Sequence, residues 1–152
     1  MTYNELFNRN VIINSLPLTG ITGKPLCDII MLRVDSAKAI DAFNERMQEA
    51  LKKIKEEKFP RFDEESAKPE ADRCKDYQGW LEELEKLYTD MRSAEAAKEV
   101  ETTLPKVTRD ILTAFCGQGV EGTVTFPGGT EEEPNLIPRL TVLHMLAEMV
   151  ED

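Results

Sequence analysis

The sequence predicts a mainly α fold, a long antiparallel helical hairpin with a small β-containing C-terminal part and a terminal helix. Three observations carry this. Two long stretches repeat apolar residues at three- and four-residue spacing, the last third shortens that period toward two, and proline and glycine fall between these segments. The length of 152 residues fits a single domain, 1–152.

Segment 2–14 reads as a short helix. Leu6, Phe7, Val11 and Ile13 form its apolar face, and Thr2 with Glu5 three residues later makes a capping box. Pro17, Gly20 and Gly23 mark the loop that follows. The strongest helix covers 25–57, with Pro25 in its first turn. One apolar line runs through Ile29, Ile40, Phe43, Met47, Ala50 and Ile54, and a second through Leu26, Ile30, Val34, Ala37 and Leu51. At ~1.5 Å per residue such a helix is about 50 Å long, which calls for an antiparallel partner or a second subunit. Phe59-Pro60 ends it. Residues 60–75 hold two prolines and many charges, and read as an acidic loop or linker.

A second long helix is predicted over 77–98, with Trp80, Leu84, Leu87, Met91 and Ala94 on one face and Tyr77, Leu81 and Tyr88 beside them. It is the natural hairpin partner of the first. The remainder, 99–152, reads as a mixed α/β end. Val100, Thr102 and Leu104 alternate as a short strand closed by Pro105. Thr108 caps a helix over 109–116 that stops at Gly117. Val120, Val124 and Phe126 suggest a second strand, Pro127-Gly128-Gly129 a turn, and Leu136-Ile137 a return strand. The last helix spans 138–150, burying Val142, Leu143, Leu146, Met149 and Val150.

There are 29 acidic and 19 basic side chains, for a net charge of −10. By segment the balance is +1 over 1–60, −6 over 61–101 and −5 over 102–152. This sign argues against direct nucleic-acid binding by counterion release and against docking on anionic lipid. No apolar run approaches the ~18–20 residues of a membrane span. The opening Met1-Thr2-Tyr3-Asn4-Glu5 lacks the features of a signal peptide, so the expected location is the cytoplasm.

Chemistry-bearing patterns are sparse. Cys27, Cys74 and Cys116 are widely spaced and form neither a disulfide framework nor, with His144, a paired metal motif. Gly20-Ile21-Thr22-Gly23-Lys24-Pro25 has the look of a phosphate loop, but Leu18 and Pro25 occupy positions where that loop needs Gly and Ser or Thr. Glu131, Glu132 and Glu133 lack the alternation of a calcium loop and read as a solubilising segment. No set of nucleophile, base and orienting group emerges, so the expectation is a protein with no catalytic residues, no cofactor and no metal. The candidate partner-binding residues are Trp80, Tyr77, Tyr88, Phe43 and Met47. Interface anchoring competes there with packing inside the hairpin.

The order of features is informative. Tyr3-Asn4-Glu5-Leu6-Phe7-Asn8 leads into the Gly/Lys loop. Then come Ala39-Ile40-Asp41-Ala42-Phe43-Asn44-Glu45-Arg46, Val100-Glu101-Thr102-Thr103-Leu104-Pro105-Lys106-Val107 and Ile137-Pro138-Arg139-Leu140-Thr141-Val142-Leu143-His144-Met145-Leu146. This arrangement resembles a family of small, acidic, mostly helical proteins encoded by tailed bacteriophages and prophages, including those of gut bacteria. The longer insert from Gly119 to Asn135 departs from that pattern. The resemblance implies a non-enzymatic phage protein of the host cytoplasm: a virion component such as a ring or connector, incorporated into the particle, or an assembly factor. Its partners are then other phage structural proteins or itself, as a homo-oligomer. The alternative expectation is an acidic inhibitor whose charge imitates a nucleic acid and captures a basic host protein.

Overall fold

A computed structural model describes residues 1–151. It is mainly helical, in the order α1 (Tyr3–Ser15), α2 (Gly23–Lys58), α3 (Phe62–Ser66), a 3-10 turn (Glu70–Asp72), α4 (Tyr77–Ala96), α5 (Arg109–Cys116), β1 (Thr123–Phe126), β2 (Asn135–Pro138) and α6 (Arg139–Glu148). Contacts divide the chain into two compact units, residues 1–40 with 100–152, and residues 41–99.

The first unit is built from both ends of the chain. Its core gathers Ile13 and Leu16 from α1, Ile29 and Leu32 from α2, Ile111 and Phe115 from α5, Val124 from β1, and Val142, Leu143 and Leu146 from α6. The capping box forms: the Glu5 amide donates to Thr2 Oγ1 at 3.3 Å, and the Thr2 amide donates to Glu5 Oε2 at 2.7 Å. That backbone donor holds the Glu5 carboxyl below its ordinary range. Thr108 caps α5 by accepting from the Ile111 amide. Strands β1 and β2 pair antiparallel, with Val124 opposite Ile137 and Phe126 opposite Asn135. The turn between them uses Gly128 at φ +99°, and at Gly129 a Cβ would collide with the Asn135 amide nitrogen.

Three arginines are drawn into this unit, and two of them close helix ends. Arg33 Nη2 donates to the carbonyls of Ile13 (2.7 Å) and Leu16 (2.8 Å), where α1 leaves acceptors unpaired. Arg139 Nη2 donates to the Phe115 carbonyl (3.0 Å) and to Gln118 Oε1 (2.8 Å), and its Nε to the Gly119 carbonyl (2.8 Å), locking the exit of α5. The third, Arg9, donates to the Pro105 carbonyl at 2.7 Å.

The predicted strand over 100–104 does not form. Residues 101–103 are exposed, and the Val100 amide donates to the Met1 carbonyl. Alternation alone makes no strand without a ladder partner. The pairing falls later, as an isolated parallel bridge between Val107 and Val150, with the Glu151 amide donating to the Val107 carbonyl.

In the second unit the later turns of α2 and α4 pack antiparallel as a hairpin. The Arg92 guanidinium lies 4.9 Å from the centre of the Phe43 ring, the rings of Phe59 and Trp80 are 6.5 Å apart, and those of Phe62 and Tyr77 stack at 5.3 Å. Leu51, Ile54, Leu81, Leu84 and Leu87 fill the space between. Residues 60–75, predicted as an acidic loop, hold α3 and the 3-10 turn. The cause is Glu65, only 1% exposed, whose carboxylate accepts from the Cys74 amide (2.8 Å), Lys68 Nζ (2.8 Å) and Arg61 Nη2 (3.0 Å). Phe62 is buried one turn away on the same helix.

Lys68 first, then the Cys74 amide, holds the Glu65 carboxyl below its ordinary range. A depressed carboxyl contributes stability above its unfolded pKa, and that contribution is lost as pH falls through the folded value. Acidification below the ordinary carboxylate range is therefore expected to speed exchange of the Cys74 amide, after correction for intrinsic rates. Glu65→Gln is expected to show fast exchange already at neutral pH. Equal protection in both proteins at pH 7 would contradict this role.

Candidate interaction surface

The five residues singled out for partner binding all lie in the second unit. Phe43, Met47 and Tyr77 are buried, and Trp80 and Tyr88 are half-buried. Phe43 packs under Arg92, Tyr77 stacks on Phe62, and Trp80 lies against Phe59. Phe43, Met47 and Tyr77 thus take part in the packing of their own unit, while Trp80 and Tyr88 keep part of their surface exposed. Apolar spacing on a helix specifies a covered face, and here the cover comes from within the unit.

The exposed apolar surface lies on the first turns of α2. Ile30 is 43%, Met31 49% and Val34 40% exposed, and Cys27 and Ala37 are exposed beside them. Positions 27, 30, 34 and 37 follow one another at three and four residues, so they form one stripe. The opposite face of the same turns is sealed: Ile29 and Leu32 are in the core. The second apolar line of the sequence contained this signal in Ile30, Val34 and Ala37. What the spacing left open was which line faced inward. Isolated exposed apolar residues are ordinary, but three large ones within five positions mark a surface suited to contact.

A charged line borders the stripe at Lys24, Asp28, Met31, Asp35 and Lys38, again at four- and three-residue steps. Lys24 Nζ pairs with Asp28 at 2.5 Å and Lys38 Nζ with Asp35 at 3.8 Å. The line reads positive, negative, apolar, negative, positive. Asp28 raises the Lys24 pKa above its ordinary value, so this lysine is committed to a carboxylate beside it. The surface offers apolar area and fixed charges, the ingredients of recognition.

Other residues of chemical interest stand apart. His144 is exposed, and the three cysteines are free, Cys27 and Cys116 exposed and Cys74 half-buried. Glu131, Glu132 and Glu133 are exposed in a turn where the Glu133 amide donates to Thr130 Oγ1. Among the described residues no group of three or more metal-ligating side chains converges, and no helix is long and apolar enough to cross a membrane. Comparison with protein families, with curated proteins and with solved structures finds no match.

Proposed function

We propose that this chain is a non-enzymatic bacteriophage protein, a virion component or assembly factor, that works through protein–protein contacts as a homo-oligomer. The observation that carries the self-association is the exposed stripe of Ile30, Met31 and Val34 on α2. A second copy laid antiparallel along it satisfies both its apolar centre and its charged border. With the twofold axis near residue 33, Val34 meets the region of Met31 on the other copy, and Asp28 faces Lys38 twice by symmetry. Antiparallel pairing also sets the two helix dipoles in a favourable sense. The phage setting is supported by the order of sequence features and is consistent with a protein built for contact.

A single helix contact of this length lies at the low end of stable interface sizes, so dimerisation in roughly the micromolar range is expected. Light scattering on the purified chain across that range tests it. Val34→Asp is expected to leave helix content unchanged and to hold the protein monomeric at every concentration. A monomeric parent at ~100 μM, or a variant that still dimerises, would sink the self-association. Proteomics of purified phage particles and assembly intermediates tests the setting separately, and consistent absence from both would remove it.

A further inference from the structure

Arg9 differs from the other arginines of the first unit. It is 5% exposed, its Nη2 has one acceptor in the Pro105 carbonyl, and its Nε is buried with no hydrogen-bond partner. A buried guanidinium bonded to one neutral oxygen is costly, because lost hydration is not replaced. Arg139 meets three acceptors. Arg33 also has a buried Nε without a partner, but it answers two carbonyls at the end of α1.

Arg9 also lines two cavities, of about 340 and 260 Å³, that share Met1, Arg9 and Glu151 in their walls. The larger adds Met149 and Glu5, and the smaller adds Val100, Leu104, the hydroxyl residues Thr102 and Thr103, and Lys106. Together the walls hold a buried cation, a lysine, two threonine hydroxyls, two carboxylates and apolar side chains. Glu5 is already engaged with the Thr2 amide and hydroxyl in the cap of α1.

We propose that this cleft binds a small aliphatic carboxylate, a role separate from the self-association. One carboxylate oxygen accepts from Arg9, Lys106 and the threonine hydroxyls supply the remaining donors, and the short apolar tail lies against Met149, Val100 and Leu104. Glu151 on the rim sets the preference for a monoanion, since phosphate as a dianion is repelled more strongly. Burial lowers the Arg9 pKa and Glu151 raises it in part, yet arginine keeps its charge throughout the accessible pH range.

The test uses the full chain with ¹⁵N-labelled arginine and ¹³C-methyl methionine, titrated with butyrate, butyramide and inorganic phosphate. Butyrate is expected to shift the Arg9 Nε–H and Met149 methyl signals saturably in the millimolar range, with butyramide giving no saturable shift and phosphate a weaker one. Thr103→Val and Lys106→Met are expected to weaken butyrate binding by about threefold or more. Glu151→Gln is expected to tighten it by a similar factor, as removal of a like charge should. These three sites avoid the Arg9–Pro105 bond, so the variants keep the fold that Arg9→Lys puts at risk. No saturable response to butyrate, an equal response to butyramide, or weaker binding in Glu151→Gln would each overturn the proposal.

Discussion

Replacing Phe115 by alanine is expected to destabilise the first unit by about 3–5 kcal/mol. The ring is completely buried, and it sits in a cluster fed by α1, α2, β1 and α6 as well as its own helix. Its helix, α5, has only eight residues and cannot be stable by propensity alone, so its place depends on Ile111 and Phe115. Truncation removes the transfer free energy of the ring and leaves a cavity that rigid neighbours close only in part. The loss is comparable to the whole stability of a marginal domain. Amide exchange across α5 and α6 would report it. The fluorescence of Trp80, the only tryptophan and a member of the second unit's packing, would separate the two transitions. A change below about 1 kcal/mol would show that Phe115 is not the centre of this core.

Arg139→Met is expected to cost about 2–4 kcal/mol, although it keeps a side chain of similar length. Three acceptors lose their donor at once: the Phe115 carbonyl, the Gly119 carbonyl and Gln118 Oε1. The Arg139–Phe115 bond is buried, so water does not readily replace it there. Arg139→Lys restores the charge but not the planar fork that reaches three directions, and is expected to recover less than half of the loss. Denaturant midpoints for the three proteins, read from amide exchange of α5, test the order. Full recovery by lysine would reduce the role to charge alone.

The elements that were legible in the sequence are those whose signal is local. Thr2 with Glu5 and Thr108 both cap helices, and the apolar spacing in α2 and α4 gives a hairpin. The β1 and β2 strands flank the Pro127-Gly128-Gly129 turn. What escaped is set by distant partners. Glu65 reads as one more charge in an acidic stretch until the Cys74 amide, Lys68 and Arg61 close around it. Nothing local in the sequence marks Arg9, Arg33 and Arg139, and only the fold supplies the carbonyls that draw them inward. Val100 to Leu104 alternates like a strand and fails for lack of an edge to join. The surface on α2 was half visible. Ile30, Val34 and Ala37 stood out as an apolar line, but neither periodicity nor composition says which of two lines a neighbouring helix will cover.

The first unit is assembled from residues 1–40 and 100–152, with the second occupying the interval between them. Its polar tie from Arg9 to Pro105 joins positions 96 residues apart. Such a tie closes a long loop, and its entropic cost falls as the effective loop shortens. The hairpin of the second unit closes over far fewer residues, and the Glu65 carboxylate and the Cys74 amide are only nine apart. Local closure precedes distant closure when stabilities are similar. The connectivity therefore predicts that the interval compacts early and that the body formed by the two chain ends follows.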